Sequence, residues 1–336
     1  MKGEIGNRKP SRAGRIAARA AILFGIVLAA LLILLYGTMW LLCRGPSRAA
    51  RDLFVNTCME TSFARLFPPL FLPREEIDAI RAANAVVDTD EVTDNDLDFA
   101  DPAPGDSEQP DIEVVDVIGT TYKGKMMIVK DPSRVVVGTP PALGGDASGE
   151  KLDAMIKRTG AVGGINAGGF ADDNGMGSGG TPIGIVIQEG KLTFGSESAP
   201  TVVIGLDEKN VLHVGRMTAK EALDKGMRDA VSFGPALVVN GKPAEIAGSG
   251  GGLNPRTAIG QREDGSILLL VIDGRQPHSI GASHKDLVDI MVQYGAINAG
   301  NLDGGSSTTL YYEGELLNAC ASLYGPRQLA TAFLVK

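Results

Sequence analysis

The sequence predicts an α+β fold: a mixed, largely antiparallel sheet with flanking helices, preceded by one N-terminal transmembrane helix. Three observations carry this. Five hairpin signals join β-prone runs across Gly- or Asn-containing turns, three capped helix signals interrupt them, and residues 20–43 hold no charged side chain. Hairpins in that number favour antiparallel neighbours, whereas a doubly wound parallel sheet needs a crossover between successive strands.

Residues 1–19 form a basic cytoplasmic tail, with Lys2, Arg8, Lys9, Arg12, Arg15 and Arg19 against a single Glu4. The following stretch, residues 20–43, "AAILFGIVLAALLILLYGTMWLLC", is long enough to cross a hydrocarbon core of about 30 Å as a helix. The basic flank places the N-terminus inside; Arg44, Arg48 and Arg51 weaken that asymmetry without reversing it. No small-x-small cleavage site follows the run, which favours a retained signal anchor over a removed signal peptide. The expected location is the cell membrane, single-pass, with the C-terminal domain extracytoplasmic.

Residues 44–83 read as a juxtamembrane helical segment, clearest at "PREEIDAIRAA", where Pro73 precedes Glu75 and Glu76 in a first turn. Residues 84–111 hold ten Asp and Glu and no Lys or Arg. Such a stretch buries too little surface to offset chain ordering, so it reads as an acidic linker spacing the next domain from the membrane. Residues 112–336 form the globular domain.

Its hairpin signals are "IVIQEGKLTF", "VVIGLDEKNVLHVG", "ALVVNGKPAEI", "AIGQREDGSILLLVID" and "TTLYYEGELLNA". Asn240-Gly241 is the strongest, because both central residues of a type I′ turn need positive φ. Residues 148–160 predict a helix ending at Gly160. Thr218 with Glu221, and Ser283 with Asp286, stand at capping-box spacing before two more. The last of these carries Leu287, Val288, Ile290, Met291 and Tyr294 on one face and ends at Gly295.

The formal net charge of −8 and the absence of a basic cluster in the domain set aside a nucleic-acid partner. Cys43 sits at the membrane edge; Cys58 and Cys320 are the two that could bridge outside it. No Cys/His spacing suggests zinc. The absence of Gly-x-Ser-x-Gly, His-Glu-x-x-His and a Walker lysine loop argues against serine hydrolases, zinc proteases and NTPases.

Ile-Asn-Ala-Gly occurs twice, at 165–168 and 297–300. Aligning instead on the glycines that end the preceding helices pairs Asn166 with Asn301, six residues after Gly160 and Gly295. Each unit is then helix, Gly, apolar strand and Asn, followed by a Gly-rich loop. Bare N–H groups at Gly304 and Gly305, with the hydroxyls of Ser306, Ser307 and Thr308, suit an anion or a sugar, and Asp303 lies among them. Arg256 follows a glycine run and offers a planar fork for phosphate or carboxylate, with Thr257 beside it. Asp273 ends an apolar strand in an Asp-Gly turn that is either a catalytic delivery or an ordinary corner. His278, as a histidine in a loop, is an acid/base candidate, a sugar contact or a plain loop residue. Asp172, Asp173 and Asn174 have the flavour of a calcium loop without its later glutamate, so a solvated turn competes with a metal site.

The motifs "INAGGF", "TPIGIVI", "SFGPALVVNGK", "NPRTAIG", "VIDGRQ" and "NLDGGSST" occur in the order of one family. Over residues 112–336 the chain resembles the phosphodiester glycosidases. The resemblance implies a hydrolase that frees a sugar from a phosphodiester and leaves a phosphomonoester. It places Asn166, Arg256, Asp273 and Asp303 at the family's polar positions, and requires no cofactor; a divalent cation, calcium, is the one addition the sequence leaves open. Two departures stand out: Asn-Ala-Gly-Gly-Phe replaces Asn-Gly-Gly-Phe, and Ser306 replaces a third glycine.

Breaking a sugar–oxygen bond creates an oxocarbenium-like centre, so Asp303 and Asp273 are the candidate nucleophile or base. Arg256, Asn166, Thr257, Asn301, Gly304, Gly305, Ser306, Ser307 and His278 are the candidate substrate and phosphate contacts. The expected substrates are phosphodiester-linked glycans of the cell envelope or an exopolysaccharide. The alternatives are a non-catalytic, membrane-tethered glycan-binding module and an envelope structural protein.

Overall fold

The computed structural model describes residues 12–87, 89–94, 110–172, 177–322 and 324–336. Helix α1, Arg12–Arg44, is long and apolar enough to cross a membrane, and its side chains from Ile16 to Leu41 are largely exposed. It runs on into a small helical unit. Ser47 caps α2 (Arg48–Met59), two 3-10 turns follow at Ala64–Leu66 and Pro68–Leu70, and Pro73 starts α3 (Arg74–Ala82).

Val55, Phe71, Leu72, Ile77 and Ile80 form the core of this unit with Cys43. Glu76 binds Arg51 at 3.0 Å and Arg44 at 3.5 Å. Cys43, Cys58 and Cys320 are all free, so the bridge between Cys58 and Cys320 is not formed. Cys58 is buried in the helical unit, while Cys320 lies against the Ser306 carbonyl.

The domain is built on three main sheets in which every described pairing is antiparallel. The largest runs Ile112–Ile118, Lys123–Val129, Ile267–Ile272, Arg256–Arg262, Ala296–Leu302, Ala236–Val239, Lys242–Pro243. A second contains Thr201–Asp207, Leu212–Met217 and Met227–Ser232; a third centres on Gly163–Asn166 and Ala332–Val335.

Inner faces of all three sheets meet in one core that includes Met127, Ile165, Ile204, Leu269, Leu302 and Phe333. The outer face of the largest sheet is covered by the helix His284–Gln293 through Leu287, Ile290 and Met291. With both faces covered, strand Ile267–Ile272 has no solvent side, which is why it is apolar at every position.

The five hairpins form. Asn240 and Gly241 adopt φ of 52° and 74°, as a type I′ turn requires. Both capping boxes close, at Thr218/Glu221 and Ser283/Asp286. Helix α4 is shorter than its sequence signal, spanning Leu152–Thr159, because Glu150 and Lys151 pair as a strand with Leu329 and Gln328.

The acidic segment differs from a free spacer over its described residues. Val87 N–H donates to Glu245 O at 2.9 Å, and Thr93, buried, exchanges hydrogen bonds with Val214. Val86 bridges to Ile246 by its backbone, and Val92 packs against the core of the second sheet, contacts that the charge count conceals. Residues 95–109 lie outside the described residues.

Candidate active site

Strand register brings the site together. Arg256 pairs with Ile272, and Thr257 with Leu302, so the start of one strand and the ends of two neighbours share one edge of the largest sheet. The loops leaving that edge carry Asn254–Arg256, Arg275 and Asp303–Ser307 into a cavity of about 490 Å³. The loop after Gly163–Asn166 adds Phe170 and Asp172, the residue before Gln328–Leu329 is Arg327, and the helical unit adds Glu60, Ser62 and Arg81.

Asp303 is the chemically distinctive group. Its carboxyl is pushed up to about 6 by burial, opposed by hydrogen bonds from Ser307 and the Gly304 N–H and by the Arg327 charge. It is held by the other half of the sequence echo. Asn166 Nδ2 donates to Asp303 O at 2.5 Å, and Asp303 N–H donates to Ala167 O at 2.9 Å. Asn166 Oδ1 accepts from Thr257 Oγ1 and the Thr309 N–H. Asn166 and Thr257 are therefore buried braces beneath Asp303, and neither lines the cavity. The register that pairs Asn166 with Asn301 describes two strands whose ends meet.

Asn301 does line the cavity. Its Nδ2 donates to Gly234 O at 2.6 Å, while its buried Oδ1 has no partner and is left as an acceptor. The glycine loop is not the bare nest expected. Gly305 N–H donates to Pro255 O, Ser307 N–H to Gly304 O, and Gly304 N–H to the Asp303 carboxylate. The loop spends its amides on its own shape. Ser306, the residue replacing a glycine, accepts from Arg327 Nη1 at 3.4 Å.

Positive charge comes from four arginines, Arg81 of the helical unit and three from the domain. Arg256 is nearly saturated: it donates to Glu60 Oε2 at 2.7 Å, to Gly252 O and Ala282 O, and to His284 Nε2 at 3.1 Å. His284 donates its Nδ1–H to Gly250 O at 2.6 Å, so Nε2 is the acceptor, and burial together with Arg256 pushes the imidazole down to about 3. It stays neutral and orients the guanidinium.

Arg275 donates to Asn254 Oδ1 at 2.9 Å, and its terminal nitrogens face Gly305. Its φ is 57°, a strained backbone for a non-glycine residue. Burial and the neighbouring Arg256 lower its affinity for its proton, so an anion beside it gains unusually. Arg327 lies 4.9 Å over the Phe170 ring and pairs with Asp172 at 2.6 Å.

Asp273 and His278 are placed elsewhere. Asp273 Oδ1 accepts from Ala319 N–H at 2.8 Å and Oδ2 faces His278 Nε2 at 3.3 Å, which ties the strand end to the 318–319 loop. Neither lines the cavity. A carboxylate ending an apolar strand is here the ordinary corner.

Among the described residues, no group of three or more His, Cys, Asp or Glu side chains is placed to hold a metal ion. Asp172, offered as a calcium ligand by sequence, is instead the ion-pair partner of Arg327, and Asp173 and Asn174 lie outside the described residues.

Sequence reasoning missed Glu60, Asp172 in this role, Arg275, His284 and Arg327. Only Arg275 had a nearby signal, standing two residues after Asp273 in "VIDGRQ".

A sequence model described as phosphodiester glycosidase matches residues 159–336. The chain is 33% identical over 185 residues to the uncharacterised SPbeta prophage-derived protein YomE of Bacillus subtilis, covering 52% of this chain and 28% of YomE. It is 26% identical over 219 residues to N-acetylglucosamine-1-phosphodiester alpha-N-acetylglucosaminidase of Mus musculus, covering 59% of this chain and 41% of the mouse protein. The matched region thus spans well under half the length of these relatives.

The catalytic domain of the zebrafish N-acetylglucosamine-1-phosphodiester alpha-N-acetylglucosaminidase, solved auto-inhibited by its pro-peptide, superposes with a TM-score of 0.58 at 22% identity. It covers 73% of this chain and 87% of that one. That likeness concerns the fold.

Proposed function

The chain belongs to the phosphodiester glycosidase family, and from that premise we propose that it hydrolyses sugar-1-phosphodiester linkages at the cavity around Asp303. The observation that carries this reading is a buried carboxyl, pushed up to about 6, in one cavity with Arg256, Arg275 and Arg327. In the reaction the bond from the anomeric carbon to the phosphate oxygen breaks, water supplies the new hydroxyl, and the phosphate leaves as a monoester.

Phosphate is a good leaving group, so restraint of its charge matters more than protonation of it. Arg275 is the side chain best fitted to that restraint, because Arg256 already serves Glu60 and two carbonyls. Asp303, ionised, faces the developing oxocarbenium-like charge as nucleophile or base. Asp172 replaces Asp273 as the second carboxylate in this reading, since it lines the same cavity. Asn301 Oδ1 accepts from a sugar hydroxyl.

The basic residues before position 20 support a cytoplasmic N-terminus, a single span over residues 20–43 and an extracytoplasmic domain. The substrates are then glycans of the envelope or an exopolysaccharide.

The test uses the full chain in detergent, because the helical unit buttresses the site. Wild type should release free sugar from the methyl diester of a sugar 1-phosphate, and Asp303→Asn should lower kcat by about 1000-fold or more. Sugar binding without turnover, unchanged in Asp303→Asn, would replace the hydrolase with a glycan-binding module. The anomer first formed, read by proton NMR, assigns retention or inversion.

A further inference from the structure

The helical unit between α1 and the domain carries an apolar surface that no other described residue covers. Phe63, Leu66 and Leu70 are 71%, 60% and 71% exposed, and Phe63 stacks edge-on against Phe67 at 5.5 Å. Three large neighbouring apolar side chains left to water in one short segment mark an interaction surface.

The occupant follows from what the patch adjoins. Phe71, next to Leu70, packs on Tyr36 of α1 with ring centroids 5.2 Å apart, and its carbonyl accepts from Arg44 Nε at 2.9 Å. Tyr36 lies eight residues before Arg44, roughly 12 Å down the helix, inside the uncharged run. Tyr36 and Trp40 are exposed on α1, as aromatic side chains at a bilayer interface are. The segment carrying Phe63, Leu66 and Leu70 thus folds back beside the end of the span, at the depth of its aromatic belt. Arg74, exposed, follows the segment four residues after Leu70, where anionic headgroups would meet it.

The same segment is a wall of the cavity. Glu60 and Ser62 line it, Phe63 begins the patch, and Arg81 of α3 lines it from the other side. The cavity mouth and the apolar patch are therefore consecutive parts of one surface.

We propose that Phe63, Leu66 and Leu70 seat in the outer leaflet beside α1, so that the cavity opens at the bilayer surface and takes sugar 1-phosphates whose second ester is a membrane lipid. Sugar and phosphate enter the cavity while the acyl or isoprenoid tail stays in the leaflet. This rests on the glycosidase and membrane-span readings above. Water adds to the anomeric carbon, the bond from that carbon to the phosphate oxygen breaks, and the phosphate remains as the lipid monoester with release of a proton to solvent.

The experiment uses the full chain in nanodiscs of phosphatidylethanolamine and phosphatidylglycerol, in two arms. Trp40 is the sole tryptophan, so Phe63→Trp in a Trp40→Phe background reports on position 63 alone. Its emission should be quenched by brominated lipid and shielded from aqueous acrylamide; the reverse pattern overturns the proposal whatever the activity.

The second arm compares the hexadecyl and methyl esters of one N-acetylglucosamine 1-phosphate. Phe63→Ser/Leu66→Ser/Leu70→Ser should lower turnover of the hexadecyl ester at least tenfold and leave the methyl ester within twofold. Equal rates on both esters, or equal loss on both, overturn the lipid-borne substrate. Failure of the wild type on both esters sinks the glycosidase reading instead, and the lipid-borne substrate with it.

Discussion

Glu60 and Arg256 are 196 residues apart and joined by a 2.7 Å ion pair. Glu60 also accepts from Gly252 N–H and Asn254 Nδ2, each at 2.8 Å. A carboxylate from the helical unit thus occupies donors in the cavity that would otherwise face an incoming anion.

Replacing that carboxylate should strengthen anion binding. Glu60→Gln keeps the hydrogen-bonding shape and removes a negative charge, so inhibition by inorganic phosphate should tighten by about threefold or more. Initial rates against phosphate concentration give the inhibition constant. An unchanged or weaker constant would mean that Glu60 serves only to hold Arg256.

The pH profile should report Asp303. If the ionised carboxylate does the work, kcat/KM rises with pH and levels off above about 6. Arg327 favours the ionised form, so Arg327→Met should move that limb to higher pH. A limb that stays in place in the variant assigns it to another group.

The same burial gives a stability effect of opposite sense. A carboxyl whose folded pKa is raised binds its proton more tightly in the native state, so wild type loses stability as pH rises from about 4 through about 6. Asp303→Asn removes that penalty. At pH 7.5 it should melt higher than wild type, by at most about 3 kcal/mol, and at pH 4 the two should converge. Calorimetry at both values decides it.

Asn166 acts on the reaction through Asp303. Asn166→Ala should lower kcat more than tenfold with KM changed little, and cost about 1–3 kcal/mol because the Thr309 N–H loses its acceptor. Asp273→Ala should cost a similar amount of stability, through Ala319, while leaving kcat within about tenfold. Steady-state kinetics with urea titration separates the two cases.

The contrast between these residues marks how far the sequence can be read. Hairpins, capping boxes and the apolar helix face are local patterns, and each recurs in the fold where its spacing places it. Asp303 stood out in the sequence as a lone carboxylate among glycines and hydroxyls, and it lines the cavity.

Asn166 was found and misjudged: strand length gives where its side chain emerges, but not that Thr257, Thr309 and Asp303 consume its polar atoms. The partners that hold Asp273 away from the cavity lining sit some 45 residues downstream, beyond the reach of any local pattern. Glu60, His284 and Arg327 carry no local pattern. They reach the cavity by tertiary packing of segments that the sequence presents as stalk, helix start and C-terminal loop.

One contact of the helical unit changes what a break in the chain would do. Gly252 sits so close to α2 that a Cβ there would lie 2.3 Å from Thr57 Cα, and Leu253 N–H donates to Thr57 Oγ1. Asn84 Oδ1 accepts from Ser249, and Val87 and Thr93 bind the sheets directly. A proteolytic nick anywhere in residues 95–109 would separate anchor and domain as polypeptides yet leave them joined as a non-covalent pair. Separating the two fragments would require unfolding of that interface rather than hydrolysis of one peptide bond.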